Sequence, residues 1–189
     1  MHIEKLVVGP VETNCYIVSK SADSNEVFII DPGAEADRII KAIGDRKVVA
    51  TLLTHGHFDH TGALYAFSDY PIFINEKDAP MLNDFDLSAG RLMLDNNPRP
   101  EATNFYKEGD KLLLAGVEIT IMETPGHTMG SVCIFAEDKI FTGDTLFDGD
   151  YGRTDLPGGS HELIRKSLRR LFTYEGYEIY PGHGPNAII

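Results

Sequence analysis

One short run of the chain places four metal-binding side chains immediately after an apolar segment. Residues 54–60 read THGHFDH, and the six residues before them read VVATLL. Histidine and carboxylate ligands at this density suit zinc, iron or manganese. In extended backbone His55 and His57 project from the same side. Asp59 and His60 lie beyond the bend, where they can face a second ion. The spacing therefore predicts a strand followed by a site for a pair of metal ions.

Three later segments repeat this arrangement of a strand-like run, a glycine and one potential metal ligand. The ligands are His127, Asp144 and His183, which follow runs rich in isoleucine, tyrosine, phenylalanine or threonine. A residue just past a strand lies at the rim of a sheet, and flanking glycines leave room there for an ion or a substrate. Each of these residues alone is also compatible with an ordinary hydrogen-bonded side chain. Because four loops agree, we predict that they converge on one edge of a packed structure.

Together these residues resemble the metal-binding pattern of the metallo-β-lactamase superfamily, and the resemblance runs from Asp31 to His183. It implies two trios of ligands joined by one bridging aspartate: His55, His57 and His127; Asp59, His60 and His183; and Asp144. It also implies two divalent metal ions as cofactors, with zinc as the first expectation. Iron and manganese are alternatives, because the same ligands accept all three metals. Asp59 and Asp144 are then the expected catalytic carboxylates.

The fold that the resemblance implies is an α+β, four-layer αββα sandwich with the metal site on one edge of the two packed sheets. The order of elements permits it, with strands between residues 6 and 30, a helix near residues 35–43, and strands alternating with helices thereafter. Residues 71–110 are the least regular part, and we expect them to lie over the metals as part of the pocket wall. Asp31 matches a position that supports the metal loops from outside the ligand set. An aspartate before Pro-Gly is also an ordinary turn residue.

Several segments look more specifically like the hydrolases of the glyoxalase II type. They surround Asp144, Arg153 and His183 and read GDTLF, GRTDLPGG and PGHGP. The resemblance implies cleavage of a thioester such as S-D-lactoylglutathione to a 2-hydroxy acid and a free thiol. The printed chain extends six residues beyond His183. We therefore expect one hydrolase domain over residues 1–189, of the short type without a C-terminal glutathione-binding helical domain.

The expected chemistry depends on two ions roughly 3.5–4 Å apart. Such a pair lowers the pKa of a bridging water from about 15.7 toward about 7, so that a hydroxide is present at neutral pH. One ion polarises the substrate carbonyl, and the thiolate leaves without a proton because a thiol is a fairly strong acid. Arg153 is a candidate contact for an anionic substrate. Asp155 or Asp150 is an equally good partner for Arg153 within the chain.

Other activities of the same fold compete with this interpretation. A persulfide dioxygenase would use a single iron, so the number of bound metal ions separates it from the hydrolase. A phosphodiesterase fits the paired metals but not the acidity of the chain. A diiron oxidoreductase is disfavoured because His57 is intact, and a true β-lactamase because Asp144 fills a position that those enzymes lack. A non-enzymatic metal-binding module is disfavoured because every expected ligand position is filled.

Composition excludes several classes of partner. The formal net charge is −12, which argues against nucleic-acid binding because that function requires a basic surface. No run approaches the roughly 20 apolar residues of a membrane span, and the first residues are too charged for a secretion signal. Cys15 and Cys133 lie in apolar runs and are expected to be buried free thiols of a cytoplasmic protein. The predicted partner is a small anionic thioester, and the sequence leaves the oligomeric state open.

Overall fold

Two six-stranded sheets form the centre of the computed structural model, which describes residues 1–95 and 97–189. The first sheet contains, in spatial order, β1 (His2–Val8), β2 (Thr13–Ser19), β3 (Glu26–Ile30), β4 (Lys47–Leu52), β5 (Ile72–Asn75) and β6 (Asn104–Tyr106). The second contains β12 (Ala187–Ile188), β11 (Glu178–Pro181), β10 (Lys139–Gly143), β9 (Val132–Ala136), β8 (Val117–Glu123) and β7 (Lys111–Leu114). The first sheet is antiparallel from β1 to β3 and parallel from β3 to β6. The second is antiparallel except where β10 pairs with β11.

Helices connect the strands and cover the sheets. The α-helices are α1 (Ala36–Ile43), α2 (Phe58–Thr61) and α3 (His161–Leu171), and single 3-10 turns occupy Leu64–Phe67, Ala79–Leu82 and Gly90–Met93. The hydroxyl of Ser160 caps α3 by accepting a hydrogen bond from the backbone N–H of Leu163 at 3.4 Å, which satisfies one of the free donors of the first turn. Across the described ranges, every helix is too short or too polar to cross a membrane.

Alternating side chains of the strands build three layers of apolar packing. On β2, Tyr16 and Val18 face the core between the two sheets. Cys15 and Ile17 point the other way and pack with α1. On the far side, Cys133 belongs to the cluster that packs α3 on the second sheet. Helix, sheet, sheet and helix therefore follow one another, which confirms the predicted αββα sandwich. Both cysteines are buried free thiols, as expected.

The stretch predicted to be least regular contributes two strands to the first sheet. β5 and β6 lie within residues 71–110 and extend the parallel part of the sheet beyond β4. These strands have only four and three residues, which is too short for an alternating pattern to stand out in the sequence. Pairing of β5 with β4, and of β6 with β5, supplies backbone hydrogen bonds that the short sequences of these strands do not predict.

Candidate metal centre

The loops that follow the strands meet at one edge of the two sheets, as the sequence predicted. The carbonyl of Thr54, which follows β4, accepts a hydrogen bond from the N–H of Val132 in the second sheet at 2.9 Å. The carbonyl of Gly182 accepts one from Asn14 of the first sheet at 2.7 Å. These backbone bonds hold the ligand loops of different sheets together. The position of each ligand is therefore set by the sheets and not by its own flexible loop.

Three buried histidines turn one ring nitrogen each toward a common point, and we call them the imidazole trio: His55, His57 and His127. Nδ1 of His57 lies 3.1 Å from Nε2 of His55 and 2.8 Å from Nε2 of His127. Two nitrogens bound to a tetrahedral ion at about 2.1 Å are about 3.4 Å apart. The observed separations are thus close to those of a metal site. The three residues come together as predicted.

A second group, which we call the mixed trio, contains Asp59, His60 and His183. Oδ2 of Asp59 lies 3.4 Å from Nε2 of His60 and 3.2 Å from Nε2 of His183. Asp59 and His60 are neighbours on α2, whereas His183 follows β11. The mixed trio thus joins a helix of the first half of the chain to a strand end of the second half.

Asp144 lies between the two trios. Its Oδ1 is 3.3 Å from Nε2 of His60, and its Oδ2 is 3.5 Å from Nε2 of both His127 and His183. One carboxylate therefore contacts ligands of both trios, which is the placement expected of a bridging ligand.

Backbone carbonyls orient one histidine of each trio. Nδ1 of His127 donates to the carbonyl of Arg153 at 2.8 Å, and Nδ1 of His183 donates to that of Val11 at 3.0 Å. A carbonyl can only accept, so the proton must be on Nδ1 in both rings. Nε2 is consequently the nitrogen of each ring that faces the site and can bind a metal once it carries no proton, and the carbonyl is the usual outer support of a metal-binding histidine.

Asp31 orients further ligands, as the sequence predicted for a supporting residue. Its Oδ2 lies 2.9 Å from Nδ1 of His60. Its two oxygens also accept hydrogen bonds from the N–H and the hydroxyl of Thr54, at 2.8 and 2.6 Å. The Thr54 hydroxyl is in turn 3.1 Å from Nδ1 of His55. Through these contacts Asp31 supports one histidine of each trio, His60 directly and His55 by way of Thr54. The backbone of Asp31 has a φ of +51°, which is an uncommon conformation outside glycine.

Two buried polar atoms of the site also favour metal binding. Nε2 of His60 and Oδ1 of Asp144 are buried 3.3 Å apart but outside hydrogen-bond geometry, and neither has another hydrogen-bond partner within residues 1–95 and 97–189. An unsatisfied buried polar atom costs about 1–3 kcal/mol. Both atoms belong to one potential ligand group with His55. A cation bound there would satisfy them, so the donor set is suited to metal binding.

Asp78 is a supporting residue that the sequence reasoning missed. Its side chain is buried and accepts hydrogen bonds from the N–H of Gly56 at 3.1 Å, the N–H of Gly130 at 2.7 Å and the hydroxyl of Thr128 at 2.6 Å. These partners flank the ligands of the imidazole trio on two separate loops. The sequence signal that could have identified Asp78 is a polar residue shortly after a strand. That strand, β5, was not recognised from the sequence.

Glycine is required where the trios approach the backbone most closely. A Cβ added to Gly182 would overlap Oδ1 of Asp144 and contact the ring of His60. A Cβ on Gly143, whose φ is +49°, would overlap the side chain of Thr54. The glycines of the ligand loops therefore make room for the site, as predicted.

Two histidines of the imidazole trio, His55 and His57, are held in their neutral form. Burial lowers the pKa of His55 well below its usual value, and neighbouring histidines lower it further. Burial, followed by the effect of His127, lowers the pKa of His57 to about 3. Both rings are therefore neutral at pH 7, and no proton has to leave them before a metal ion binds.

The mixed trio is charged when no metal is bound. Burial lowers the pKa of His60, but the carboxylates of Asp59 and Asp144 outweigh it and raise that pKa well above its usual value. Burial likewise disfavours charge on His183, yet hydrogen bonds to Asp144 and Asp59 raise its pKa to about 9. Burial raises the pKa of Asp59, but His60 and His183 bring it down to about 2. A metal ion that binds to the mixed trio would therefore displace protons from His60 and His183.

The Arg153 side chain does not lie with the ligands. Its guanidinium group is exposed and pairs with both carboxylate oxygens of Asp155, at 2.7 Å each. This is the alternative that the sequence left open for Arg153. Its backbone carbonyl, which supports His127, is the part that contacts the site.

A cavity of about 440 Å³ opens beside the mixed trio. Asp59 and Thr13 belong to its wall, and the Thr13 hydroxyl donates to Oδ2 of Asp59 at 2.9 Å. Other parts of the wall are the turn between β1 and β2, α2 and the segment around residue 95. The last of these is the contribution expected of the region 71–110 to the pocket wall. The cavity gives a substrate access to a metal ligand.

Comparison with known proteins agrees with this geometry. The family model described as "Metallo-beta-lactamase superfamily" matches residues 8–183. A protein of Streptococcus pyogenes serotype M6 named "Probable metallo-hydrolase" is 38% identical, covering 94% of this chain and 81% of its own. "Hydroxyacylglutathione hydrolase GloC" of Haemophilus influenzae is 37% identical, covering 100% of this chain and 93% of its own.

Solved structures show the same architecture. The crystal structure of BLEG-1 B3 metallo-beta-lactamase superposes with a TM-score of 0.90 at 32% identity and covers 99% of this chain and 94% of that one. The structure of TTHA1623 in a di-iron-bound form gives a TM-score of 0.87 at 31% identity and covers 98% and 94%. The second of these similar proteins holds two metal ions of one kind.

Proposed function

The chain belongs to the metallo-beta-lactamase superfamily, and we propose that it is a dinuclear metal-dependent hydrolase that cleaves a thioester. The observation that carries this proposal is the position of Asp144, whose two oxygens contact ligands of both trios. A shared carboxylate has a use when two ions are bound side by side. Zinc is the first metal we propose, with iron or manganese as alternatives.

The two ions, when bound, would supply a hydroxide nucleophile near neutral pH and polarise the substrate carbonyl. The protein contributes the positions of the ligands. Asp31 and two backbone carbonyls orient the rings of His60, His127 and His183 so that Nε2 of each faces the site. Asp59, whose Oδ2 accepts a hydrogen bond from Thr13 at the cavity wall, would hold the second ion together with His60 and His183.

The protein's own thiol near the site is unsuited to act as the nucleophile. Cys133 is buried, and this burial raises the pKa of its thiol to about 12. A thiol with that pKa is almost entirely protonated at neutral pH, whereas the thiolate is the reactive form. Hydrolysis by a metal-activated water therefore needs no covalent intermediate on this residue.

The substrate we propose is a 2-hydroxyacyl thioester, for which S-D-lactoylglutathione is the test compound. Support comes from the segments around Asp144 and His183 that look like glyoxalase II. The relative named as a hydroxyacylglutathione hydrolase adds to it. A thiolate is a good leaving group, so a site that offers ligands for a metal-bound nucleophile meets the main requirement of this reaction.

The test is a substrate panel with protein reconstituted with zinc, iron or manganese and the bound metal counted. Thioesters, lactones and phosphodiesters are assayed at one enzyme concentration. We expect two ions per chain and the highest kcat/KM on thioesters. Efficient cleavage of phosphodiesters or lactones with glutathione thioesters left intact would refute the proposal. One iron per chain with oxygen uptake on a persulfide would replace it with the dioxygenase alternative.

A further inference from the structure

The cavity beside the mixed trio has an apolar rim that is open to solvent. Tyr65, Met93 and Leu94 all line it and are 61%, 49% and 85% exposed. Phe58, which lies between two metal-binding residues on the chain, is half-buried in the same wall. A single exposed apolar side chain is unremarkable, but a group of them around one cavity marks a binding surface.

The charged residues of the described cavity wall are all acidic: Glu35, Asp59 and Asp95. Glu35 accepts a hydrogen bond from the N–H of Gly9 at 2.8 Å and pairs with Arg38 at 3.1 Å. These two contacts lower the pKa of Glu35, so it is a carboxylate at neutral pH. The guanidinium group of Arg38 pairs with Glu35 and also donates a hydrogen bond to the carbonyl of Val7 at 2.7 Å.

A second cationic side chain near the cavity, that of Arg99, also has its hydrogen-bond partners within the protein. Arg99 is buried and donates hydrogen bonds to the carboxylate of Asp95, to the carbonyl of Asn97 and, at 3.1 Å, to that of Phe58. Its guanidinium group is thus used to hold the segment around residue 95 against α2. The described wall carries no cationic side chain and its rim is apolar, so it offers a substrate carboxylate no ion-pair partner.

The cavity wall is tied directly to metal ligands. Phe58 and Asp59 are neighbours on α2, and Val11 in the opposite wall accepts the hydrogen bond from Nδ1 of His183. A group held in the cavity would therefore be fixed relative to the mixed trio. Contacts of this kind orient the bond that is to be cleaved.

We propose that this cavity binds an uncharged, apolar part of the thioester substrate, either its acyl chain or an uncharged portion of its thiol. The inference rests on the proposed hydrolase function and narrows its substrate class. A glutathionyl group, with its two carboxylates, lies outside the cavity when glutathione is the thiol. Substrates with a longer apolar group are then bound more tightly than S-D-lactoylglutathione.

The kinetic test uses two series of thioesters with metal-reconstituted protein. One series keeps N-acetylcysteamine as an uncharged thiol and lengthens the acyl chain from acetyl to hexanoyl. The other keeps an acetyl group and lengthens an uncharged alkyl thiol from ethanethiol to hexanethiol, and glutathione thioesters of the same acyl chains serve as the charged comparison. We expect kcat/KM to rise by up to about fourfold for each CH₂ that enters the cavity. If only the thiol series responds to apolar length, the thiol portion occupies the cavity.

A binding test keeps the inference independent of turnover. S-hexyl-N-acetylcysteamine and S-hexylglutathione are thioethers that cannot be hydrolysed, and calorimetry with the metal-loaded protein gives their Kd values. Tyr65→Ala removes part of the cavity rim, and we expect it to weaken binding of the uncharged thioether by about threefold to tenfold. Phe105→Ala is the matched control, because Phe105 is 56% exposed on β6 and outside this cavity.

The outcomes separate this inference from the proposed function. The cavity assignment is overturned, while thioester hydrolysis stands, if kcat/KM does not change with apolar length in either the acyl or the thiol series. Equal Kd values of the uncharged thioether for wild type and Tyr65→Ala would have the same consequence. Absence of hydrolysis of every thioester, with tight binding that depends on Tyr65, would refute the thioesterase and retain the apolar cavity. A preference for glutathione thioesters whatever their acyl chain would also overturn the inference.

Discussion

The two ligand trios lie side by side and share contacts with Asp144, yet the pKa values of two histidines in each trio are shifted in opposite directions. The imidazole trio is buried among uncharged rings, so burial dominates and the pKa values of His55 and His57 fall. In the mixed trio the carboxylates outweigh burial, so the pKa values of His60 and His183 rise. The comparison teaches that the chemistry of a buried histidine depends on whether a carboxylate is buried with it.

This difference has a consequence for loading the site. An ion entering the imidazole trio meets lone pairs, whereas an ion entering the mixed trio must displace protons. The mixed trio also adjoins the cavity through Asp59. We therefore expect the imidazole trio to fill first and the mixed trio to respond to pH and to substrate.

The largest effect is expected from Asp144→Ala, which removes the contact between the trios. We expect kcat/KM to fall about a thousandfold, equivalent to roughly 4 kcal/mol of transition-state stabilisation. Metal content measured by elemental analysis should fall from two ions to one. Asp148→Ala is the control, since this residue is exposed and four positions away. Two retained ions and near-normal activity would show that the trios work without a shared carboxylate.

The next effect is a difference in pH dependence of metal binding. His183 has a pKa of about 9 in the metal-free protein, so below pH 9 each ion entering the mixed trio displaces at least one proton. Its affinity should rise at least about tenfold per pH unit, hence at least about a hundredfold from pH 6 to pH 8. Affinity at the imidazole trio should change less, because His55 and His57 have lowered pKa values and no proton has to leave either ring. Chelator competition at several pH values measures both, and equal slopes would contradict the assignment.

A smaller effect separates the residues that support each trio. Asp78→Asn places an amide where N–H groups of the two imidazole-trio loops donate, so we expect about tenfold weaker metal binding at that trio. Asp31→Asn should weaken metal binding to a similar extent at the mixed trio, through His60. Asp45→Asn, on an exposed turn, is the control.

The measurement is the release of each ion to a chelator, together with the visible spectrum of the cobalt-substituted protein. If the substitution only destabilised the fold, the melting temperature would fall and metal release would change at both trios alike. The interpretation fails if Asp78→Asn changes the spectrum and the release rate of the mixed trio more than those of the imidazole trio.

The smallest effect is expected from Arg153→Ala. The side chain is exposed and pairs with Asp155, and exposed ion pairs contribute about 0–1 kcal/mol. We expect less than about a twofold change in kcat/KM and a melting temperature close to that of the wild type, because the carbonyl that supports His127 is retained. A rise in KM of tenfold or more for S-D-lactoylglutathione alone would show that Arg153 leaves Asp155 to bind an anionic substrate.

The sandwich and the ligand positions could be predicted because their signals are local. Residues 54–60 and the glycine-flanked residues His127, Asp144 and His183 each follow a strand, and the strand fixes where the next side chain lies. The core strands were recognisable because apolar residues fill them. The short strands β5 and β6 were not, because three or four residues show no periodicity, and because the pairing of β5 with β4 and of β6 with β5 is a long-range contact.

The sequence by itself determined which side chains can bind metal and on which edge they gather. Only the tertiary structure decided how they are coupled. Asp78 joins loops that lie 22 and 52 residues away along the chain, and no local spacing encodes such a contact. Protonation of the trios, the partner of Arg153 and the apolar rim of the cavity depend likewise on distances set by sheet packing. A side-chain type fixes what a group can do, whereas its pKa and its partners follow from what the fold places within a few ångströms of it.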